Sequence, residues 1–185
     1  MKLSKIKHIH FIGAGGVGMI GIAEMLLNQG YKISGSDILE SKNTRRLKEK
    51  GAKVFIGHNT NNIKGADVIV YSSAVSDRNP EIVQAKKDNK IIIPRAEMLS
   101  SLMKKYQSIA VAGSHGKTTT TSMIASTFSD AELDPTYIVG GRIMGKEDSS
   151  ILGKSDYLIV EADESDGTFM HLNPEMSVLT NIDLS

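Results

Sequence analysis

The residues best suited to chemistry lie near the middle of the chain, in the segment Gly113-Ser114-His115-Gly116-Lys117-Thr118-Thr119. The segment follows the apolar run Ile109–Ala112 and precedes a predicted helix. The usual phosphate-binding pattern, G-x-x-x-x-G-K-[ST], would have its first glycine at position 111, where this chain has Val111. The chemistry survives this change, because backbone amides can surround a phosphate, Lys117 adds a cation and the Thr118 hydroxyl can bind Mg²⁺. The segment therefore predicts a site for ATP.

Carboxylates follow another apolar run, Tyr157–Val160. Glu161 ends this run, and an acidic turn containing Asp163, Glu164 and Asp166 comes directly after it. A carboxylate at the end of a strand beside a phosphate loop can hold Mg²⁺ directly or through water. We therefore predict that Glu161 and Thr118 bind the metal. The three later carboxylates are individually typical of a solvated turn, but together they attract cations.

A second glycine-rich segment lies near the amino terminus, and it reads Gly13-Ala14-Gly15-Gly16-Val17-Gly18. It fits the pattern G-x-G-x-x-G between a strand that ends at Ile12 and a helix over Val17–Asn28, which favours a ligand with a diphosphate. Asp37 lies about 20 residues further on, where an acidic group can meet a ribose hydroxyl. Alone, this segment is also typical of an NAD-dependent dehydrogenase, or of a glycine-rich turn without a ligand.

The elements that position these residues alternate between short apolar strands and amphipathic helices. The predicted strands are Ile6–Ile12, Tyr31–Ser34, Lys53–Ile56, Val68–Tyr71, Lys90–Ile93, Ser108–Ala112, Thr136–Val139, Tyr157–Val160 and Ser177–Thr180. The predicted helices are Val17–Asn28, Asn43–Lys50, Pro80–Asn89, Ala96–Lys104 and Lys117–Ser129. This alternation predicts an α/β fold with parallel sheets. We expect a Rossmann-like domain over residues 1–105 and the first part of a P-loop ATPase domain over residues 106–185. This second domain has too few predicted strands for a normal sheet, so we expect the chain to be a fragment of a longer protein.

Composition excludes several classes of function. The formal net charge is +1, which gives no indication of nucleic-acid or membrane binding. The chain has no cysteine, so it has no disulfides and no thiolate site. It contains no signal-peptide pattern and no run of roughly 18 apolar residues, and we expect a cytoplasmic protein. His8 and His10 alternate along the first strand and are predicted at an edge or at the surface, whereas His58, in a turn, could contact a ligand.

Longer stretches of the chain resemble the Mur ligases. The matching segments are Gly13–Glu24 (GAGGVGMIGIAE), Ser34–Asp37 (SGSD), Tyr71–Val75 (YSSAV), Pro94–Leu99 (PRAEML), Gly113–Thr121 (GSHGKTTTT), Glu161–Asp166 (EADESD) and Thr180–Ile182 (TNI). The resemblance implies a UDP-binding Rossmann-like domain, a central ATPase domain and a third domain that receives the amino acid. It implies an ATP-dependent amide ligase that phosphorylates the carboxylate of UDP-N-acetylmuramate, after which the amine of L-alanine attacks the acyl phosphate.

The resemblance also implies roles for individual residues. Gly13, Ala14, Gly15, Gly16, Val17 and Gly18 would hold the UDP-sugar diphosphate rather than NAD, with Asp37, Ser72 and Ser73 around the UDP. Gly113, Ser114, His115, Gly116, Lys117, Thr118 and Thr119 would hold ATP. Lys117 would be catalytic by stabilising the transferring phosphoryl group, and Glu161 would be catalytic by binding Mg²⁺ together with Thr118. Arg95 and Glu97 could contact substrate or the domain interface, but the preferred interpretation is a salt bridge at the start of a helix.

Two departures from the family pattern limit these implications. Ser114 replaces the usual threonine, and the chain ends at Asp183-Leu184-Ser185, before a histidine that contributes to a second metal site in the family. The fragment alone is therefore expected to be inactive. A family member that attaches a recycled murein tripeptide is the second reading, although such members tend to have tyrosine where Ser165 stands. An NAD-dependent oxidoreductase would explain only the first glycine segment, and a non-catalytic UDP-sugar-binding module would describe the isolated fragment.

Overall fold

The computed structural model describes residues 6–140, 150–162, 170 and 172–183. They form two compact units, Met1–Met98 and Leu99–Ser185. The division falls within the helix Arg95–Met103. The predicted domain boundary after residue 105 stays a prediction. None of the helices in the described ranges is long and apolar enough to cross a membrane.

The first unit is a parallel five-stranded sheet with the strand order β3-β2-β1-β4-β5. Its elements are β1 (His8–Ile12), α1 (Val17–Asn28), β2 (Lys32–Asp37), α2 (Lys42–Glu49), β3 (Lys53–Ile56), a 3₁₀ helix (Thr60–Ile63), β4 (Val68–Tyr71), α3 (Pro80–Lys87), β5 (Ile91–Pro94) and α4 (Arg95–Met103). β1 is the central strand and all five of its residues are buried. It pairs in parallel with β2 on one side and with β4 on the other.

The second unit contains another five-stranded sheet, with the order β10-β6-β9-β7-β8. Its elements are β6 (Gln107–Ala112), α5 (Lys117–Asp130), β7 (Thr136–Ile138), β8 (Ser150–Ile151), β9 (Tyr157–Glu161) and β10 (Met176–Leu179). β6 pairs in parallel with β9 and β10, whereas β8 pairs antiparallel with β7. Ile109, Ala125, Tyr137, Val139 and Ile159 form a core between this sheet and α5.

The α/β fold and the predicted order of strands and helices are confirmed. Apolar runs of strand length predicted nine of these strands, but β8 was not predicted because it is only two residues long. The prediction for His8 and His10 was wrong. Both side chains are buried, because β1 lies in the centre of the sheet and not at an edge. Their polar nitrogens are satisfied by hydrogen bonds inside the protein.

Loops follow the carboxyl ends of the parallel strands. Specific residues determine the path that the backbone takes as it leaves the sheet. The Ser41 side chain and Thr44 form a capping box at the start of α2. Asn79 caps α3, and Pro80 occupies the first turn of that helix. Gly35, inside β2, allows the first glycine loop to approach, because a Cβ added there would lie 2.6 Å from the Cβ of Ala14.

We predict that Ile69→Ala destabilises the protein by about 2–5 kcal/mol, because it leaves a cavity in a close-packed core. Ile69 lies on β4, is 0% exposed and packs in the cluster with Ile12 and Ile82. Urea unfolding followed by circular dichroism measures the change. Ile38→Ala is the matched control, because Ile38 is 68% exposed, and its effect should stay within about 0.5 kcal/mol. Equal effects of the two substitutions would contradict the assigned core.

Candidate functional site

A cavity of about 700 Å³ opens at the carboxyl ends of the strands in the first unit. The neighbours β1 and β4 are the strands at which the chain order of the sheet reverses, and α/β proteins bind ligands at this position. The cavity is lined by residues from the loops after β1, β2, β3 and β4, which are Gly13, Gly15, Gly16, Asp37, Ile38, Leu39, Ser41, His58, Ser72, Ala74, Val75, Ser76, Arg78 and Asn79. The exposed side chains of Ile38 and Leu39 give it an apolar wall.

The first glycine loop is held on β2 by its own backbone amides. The amides of Gly13 and Ala14 both donate to the Ser36 carbonyl, at 2.8 and 3.0 Å. The Gly16 amide donates to the Gly13 carbonyl at 3.1 Å, and Gly13 has a φ of 80°, which favours glycine. These amides therefore shape the loop, and the first turn of α1 is the part that presents a positive helix end to an anion.

Asp37, at the end of β2, completes the loop. Its Oδ2 accepts a hydrogen bond from the Gly15 amide at 2.7 Å. A Cβ added at Gly15 would lie 2.9 Å from that same oxygen, so only glycine fits without a shift. Asp37 thus has a structural role that the sequence interpretation did not include. Its carboxylate also lines the cavity, where the predicted contact with UDP stays a prediction.

The guanidinium group of Arg95, a residue of α4, lies next to the first turn of α1 and the glycine loop. A Cβ added at Gly18 would lie 2.5 Å from Arg95 Nη1, so the guanidinium occupies the space that a side chain at position 18 would need. Arg95 comes from the first turn of α4, and Gly18 comes from the first turn of α1. A guanidinium next to a helix amino terminus produces a local positive potential, which favours an anionic ligand.

The second glycine loop connects β6 to α5. Gly116, with a φ of 81°, is the residue before the helix, and Lys117 is its first residue. Lys117 Nζ donates to the Gly113 carbonyl at 2.6 Å and lies 3.4 Å from the Ser114 carbonyl. The ammonium group therefore lies across the loop that it closes, at the amino terminus of α5. This arrangement suits a phosphate, which would be held by a cation, backbone amides and the helix dipole together.

The Thr118 hydroxyl and the Glu161 carboxylate meet directly beside this loop. Thr118 Oγ1 donates to Glu161 Oε1 at 3.1 Å and Oε2 at 2.9 Å, and the Gly140 amide donates to Oε2 at 2.9 Å. Neighbouring ligands of an octahedral Mg²⁺ at 2.0–2.1 Å lie about 2.9 Å apart. The two oxygens therefore have the spacing that a shared Mg²⁺ needs. The remaining acidic residues, Asp163, Glu164 and Asp166, lie outside the described residues.

Residues after β10 support the second loop from the neighbouring strand. Thr180 Oγ1 donates to the His115 carbonyl at 2.6 Å, and the Asn181 side chain both accepts from the His115 amide and donates to its carbonyl. His115 Nδ1 lies 3.0 Å from Asp183 Oδ2. A Cβ at Gly113 would lie 2.1 Å from Thr180 Oγ1, so this position requires glycine. His115 thus helps to shape the loop, and its predicted contact with ATP stays a prediction.

The structure gathers most of the predicted residues into two sites. Gly13, Gly15, Gly16, Asp37 and Ser72 line the cavity of the first unit. Ala14 is buried, Val17 and Gly18 begin α1, and Ser73 is exposed in the turn after β4. In the second unit, Lys117, Thr118 and Glu161 converge, Ser114 bonds to Asp183, and Thr119 lies exposed in the first turn of α5.

Several residues that line the cavity carried no sequence signal of their own, and Arg78, Asn79 and Ile38 are examples. Arg78 and Asn79 lie in the turn before α3, and Ile38 follows the strand that ends at Asp37. Turn residues of these types occur throughout proteins, so neither residue type nor spacing could have assigned them to a site. His58 differs from these residues, because its position in a turn had suggested that it could contact a ligand. It lines the cavity.

Comparison with protein families gives a match over residues 8–107 to the Mur ligase family, catalytic domain. This match covers more than half of the chain. The chain belongs to the Mur ligase family. The resemblance found in the sequence is therefore confirmed, and the first unit, with its cavity at the carboxyl ends of the strands, belongs to the matched region.

Individual Mur ligases are similar over nearly the whole chain. The UDP-N-acetylmuramate–L-alanine ligase of Aquifex aeolicus is 56% identical over 183 residues, which are 99% of this chain and 40% of that protein. The solved structure of the UDP-N-acetylmuramate–alanine ligase of Thermotoga maritima is 33% identical with a TM-score of 0.86, over 96% of this chain and 41% of that one.

A solved structure of a ligase whose name gives a peptide substrate is also similar. The UDP-N-acetylmuramate:L-alanyl-gamma-D-glutamyl-meso-diaminopimelate ligase of Neisseria meningitides is 28% identical with a TM-score of 0.87, over 97% of this chain and 62% of that one. The chain thus spans about 40% of the length of the curated relative from Aquifex aeolicus.

We predict that Asp37→Ala accelerates hydrogen exchange of the Gly15 amide by on the order of tenfold or more, because a hydrogen bond to a carboxylate is lost. Exchange measured by NMR at that amide is the direct readout. Asp77→Ala is the control, since the Asp77 side chain is 88% exposed and bonds only to Lys86 among the described residues. Unchanged exchange at Gly15 in the Asp37 variant would contradict the role of the carboxylate in holding the loop.

Proposed function

We propose that this chain provides the UDP-sugar-binding and phosphate-binding parts of an ATP-dependent ligase that joins L-alanine to UDP-N-acetylmuramate. The single observation that carries the proposal is the contact of Thr118 with Glu161 beside the loop that Lys117 closes, in a chain that is 56% identical to a UDP-N-acetylmuramate–L-alanine ligase. The product would be a precursor of peptidoglycan, made in the cytoplasm. Amino-acid binding would need the part of the relatives that this chain does not span.

The cavity of the first unit supports the assignment of the UDP-sugar. Its volume suits a nucleotide, its apolar wall of Ile38 and Leu39 can cover a base, and the start of α1 with Arg95 favours a diphosphate. UDP-N-acetylmuramate carries both groups. Gly13–Gly18, Asp37, Ser72 and Ser73 would surround the UDP portion.

The loop of the second unit supports the assignment of ATP. Backbone amides of Gly113–Thr119 and the Lys117 ammonium would hold the phosphates, and Thr118 with Glu161 would hold Mg²⁺, for which their oxygen spacing is suitable. Bound there, Mg²⁺ would neutralise charge on the phosphates. Lys117 would keep a positive charge beside the phosphoryl group as it moves to the substrate carboxylate.

The order of bond changes follows from this chemistry. The carboxylate oxygen of UDP-N-acetylmuramate attacks the γ-phosphorus, which breaks the bond to ADP and forms an acyl phosphate. The amine of L-alanine then attacks the acyl carbon, loses a proton and displaces inorganic phosphate, which leaves an amide. In the first step Lys117 would act on the transferring group, and the amides at the start of α5 would hold the phosphates of ADP.

A ligase that attaches a murein tripeptide to UDP-N-acetylmuramate is the second candidate. The structure from Neisseria meningitides is the observation behind it, since its TM-score of 0.87 is practically equal to the 0.86 of the alanine ligase from Thermotoga maritima and fold similarity does not separate the two. Sequence identity favours L-alanine, with 33% against 28% for these two structures. Both candidates use the same UDP-sugar, so the two sites described above serve either reaction.

We predict that the 185-residue chain binds UDP-N-acetylmuramate and does not bind NAD. Calorimetric titration with UDP-N-acetylmuramate, NAD and Mg-ATP in parallel is the measurement. UDP-sugar binding should be retained, because the cavity lies within one unit, whereas Mg-ATP binding should be weak because only part of the ATPase domain of the relatives is spanned. A response to NAD with none to the UDP-sugar would overturn the proposal in favour of an oxidoreductase.

We predict that Lys117→Ala, in a polypeptide that continues through the full length of the relatives, lowers kcat by on the order of 10²–10³-fold, because a charge that stabilises the transition state is removed. Steady-state release of inorganic phosphate measures it. Lys154→Ala is the control, because Lys154 is an exposed lysine in the same unit. Near-normal turnover of the Lys117 variant would refute the role given to this residue.

A further inference from the structure

A carboxylate with no exposure to solvent lies behind the cavity of the first unit. Glu81, in the first turn of α3, is 0% exposed and accepts hydrogen bonds on both oxygens. Its Oε1 accepts from the Asn59 amide at 3.2 Å and from Asn62 Nδ2 at 2.6 Å. Its Oε2 accepts from Ser36 Oγ at 2.5 Å and lies 3.4 Å from His10 Nε2 and 3.5 Å from His58 Nδ1. A buried carboxylate with such partners is held in a single orientation.

A series of four hydrogen-bond links, referred to below as the hydrogen-bond chain, connects Glu81 through the sheet to a backbone carbonyl. His10 Nδ1 lies 2.8 Å from Ser34 Oγ, and Ser34 Oγ lies 2.8 Å from His8 Nε2. His8 Nδ1 lies 2.9 Å from the Gly65 carbonyl oxygen. With the contact between His10 and Glu81, the chain has four links. Its two ends, a carboxylate and a carbonyl, can only accept.

If all four links are hydrogen bonds, they need one proton more than the neutral groups supply. Four links need four hydrogens, one in each. Neutral His8, neutral His10 and Ser34 each supply one, which makes three. With only three hydrogens, one of the four links would have two lone pairs facing each other. The two atoms would be 3.4 Å apart if this were the link between His10 and Glu81, and 2.8–2.9 Å apart in any of the other three links. One additional proton satisfies all four links, and it also makes the buried group electrically neutral as a whole.

The surroundings assign the additional proton to His10. Burial raises the pKa of the Glu81 carboxyl, but hydrogen bonds from His10, Ser36 and Asn62 outweigh this effect, and the pKa lies below its usual value. Burial lowers the pKa of His8. With Glu81 ionised and His8 neutral, the additional proton is on His10. His10 then donates to Glu81 and to Ser34, Ser34 donates to His8, and His8 donates to the carbonyl.

Towards the cavity, the Glu81 carboxylate determines which imidazole nitrogen of His58 carries the proton. Ser36 has a single hydroxyl hydrogen, which it donates to Glu81. Towards His58 Nδ1, 3.1 Å away, Ser36 Oγ can therefore only accept, so His58 carries its proton on Nδ1. Nε2 is then a hydrogen-bond acceptor. The His58 side chain is 17% exposed and lines the cavity, so this nitrogen is the one available to a ligand.

We propose that the buried His10–Glu81 ion pair is a positioning device that acts through Ser36 to present His58 Nε2 to the cavity as a hydrogen-bond acceptor. The ligand must then place an N–H or O–H donor against His58. The part that concerns the ligand rests on the proposed function, since UDP has two kinds of suitable donor, the imide N–H of uracil and the hydroxyls of ribose. His58 is thereby a residue that determines specificity, and His10 and Glu81 are positioning residues.

The first test needs no ligand and no variant. Two-dimensional ¹H–¹⁵N NMR of the imidazole rings in the 185-residue chain reports which nitrogens carry protons. At pH 7 we expect both nitrogens of His10 to be protonated, and His8 and His58 to be protonated on Nδ1 only. A neutral His10, or a neutral His58 with its proton on Nε2, would overturn the positioning role.

The second test is Glu81→Gln. Oε1 of the new side chain can keep its bonds from Asn59 and Asn62, which directs its NH₂ group to Ser36. Ser36 must then accept from the amide and donate to His58 Nδ1, so the proton of His58 moves to Nε2. The NMR spectrum should show this change of tautomer. The affinity for UDP should fall by on the order of tenfold, because an acceptor for the ligand is lost.

Two controls separate positioning from a general loss of structure. Glu24→Gln removes the charge of another glutamate that is 0% exposed, bonded to Arg46, and it should leave UDP affinity unchanged. In a His58→Ala background, Glu81→Gln should add almost nothing to the loss of affinity, because both substitutions remove one interaction. Equal losses from Glu81→Gln with and without His58 would overturn the proposal.

The donor on the ligand is identified by comparing UDP, 2′-deoxy-UDP, 3′-deoxy-UDP and N3-methyl-UDP. The wild-type chain should bind one of the three analogues on the order of tenfold more weakly than UDP, and His58→Ala should abolish that difference. Discrimination that persists without His58 would overturn the specificity role. If the chain binds neither UDP nor UDP-N-acetylmuramate, the proposed function fails instead, and the imidazole spectra alone decide the positioning role.

Discussion

Parallel pairing is the constraint on which both candidate sites depend. When strands run in the same direction, all of their carboxyl ends leave the sheet along one edge, and the chain must turn there with its amides and carbonyls still satisfied. The glycine loop after β1 meets this requirement by bonding to the Ser36 carbonyl. The loop after β6 meets it by bonding to residues that follow β10. In each unit, the requirement to satisfy the backbone also shapes the loop that we propose as a phosphate-binding surface.

Much of the fold could be predicted from local patterns. Apolar runs predicted β1 and β9, and glycine just before a helical pattern predicted the loops that precede α1 and α5. Strand order could not be predicted in the same way, and this explains the error for His8 and His10. Alternating histidines are typical of a half-exposed strand, but a strand at the centre of a parallel sheet buries both faces. The second polar layer of the site, Ser34 and Glu81, was missed for the same reason.

The site itself was predictable where one motif carries the chemistry. Lys117 and Thr118 are neighbours in a recognisable pattern, and Glu161 ends an apolar run, so the sequence alone made all three candidates for the site. Asp37 was found by its distance from the glycine segment, but its bond to the Gly15 amide was not expected. Partners such as Asn181 lie more than 60 residues from the loop that they support. Contacts over that separation depend on which strands become neighbours, and local sequence patterns do not reveal the strand order.

The support that Thr180 and Asn181 give to the second glycine loop has a consequence for the order of folding. Gly113 and Thr180 directly follow the neighbouring strands β6 and β10, with the whole of α5, β7, β8 and β9 between them in the chain. Closing so long a stretch of chain costs entropy before its contacts form, which makes such pairings slow. As the chain emerges from the ribosome, α5 can therefore form early, but the loop before it acquires its final shape only when β10 docks. Phosphate binding would then mark the completion of this sheet rather than its nucleation.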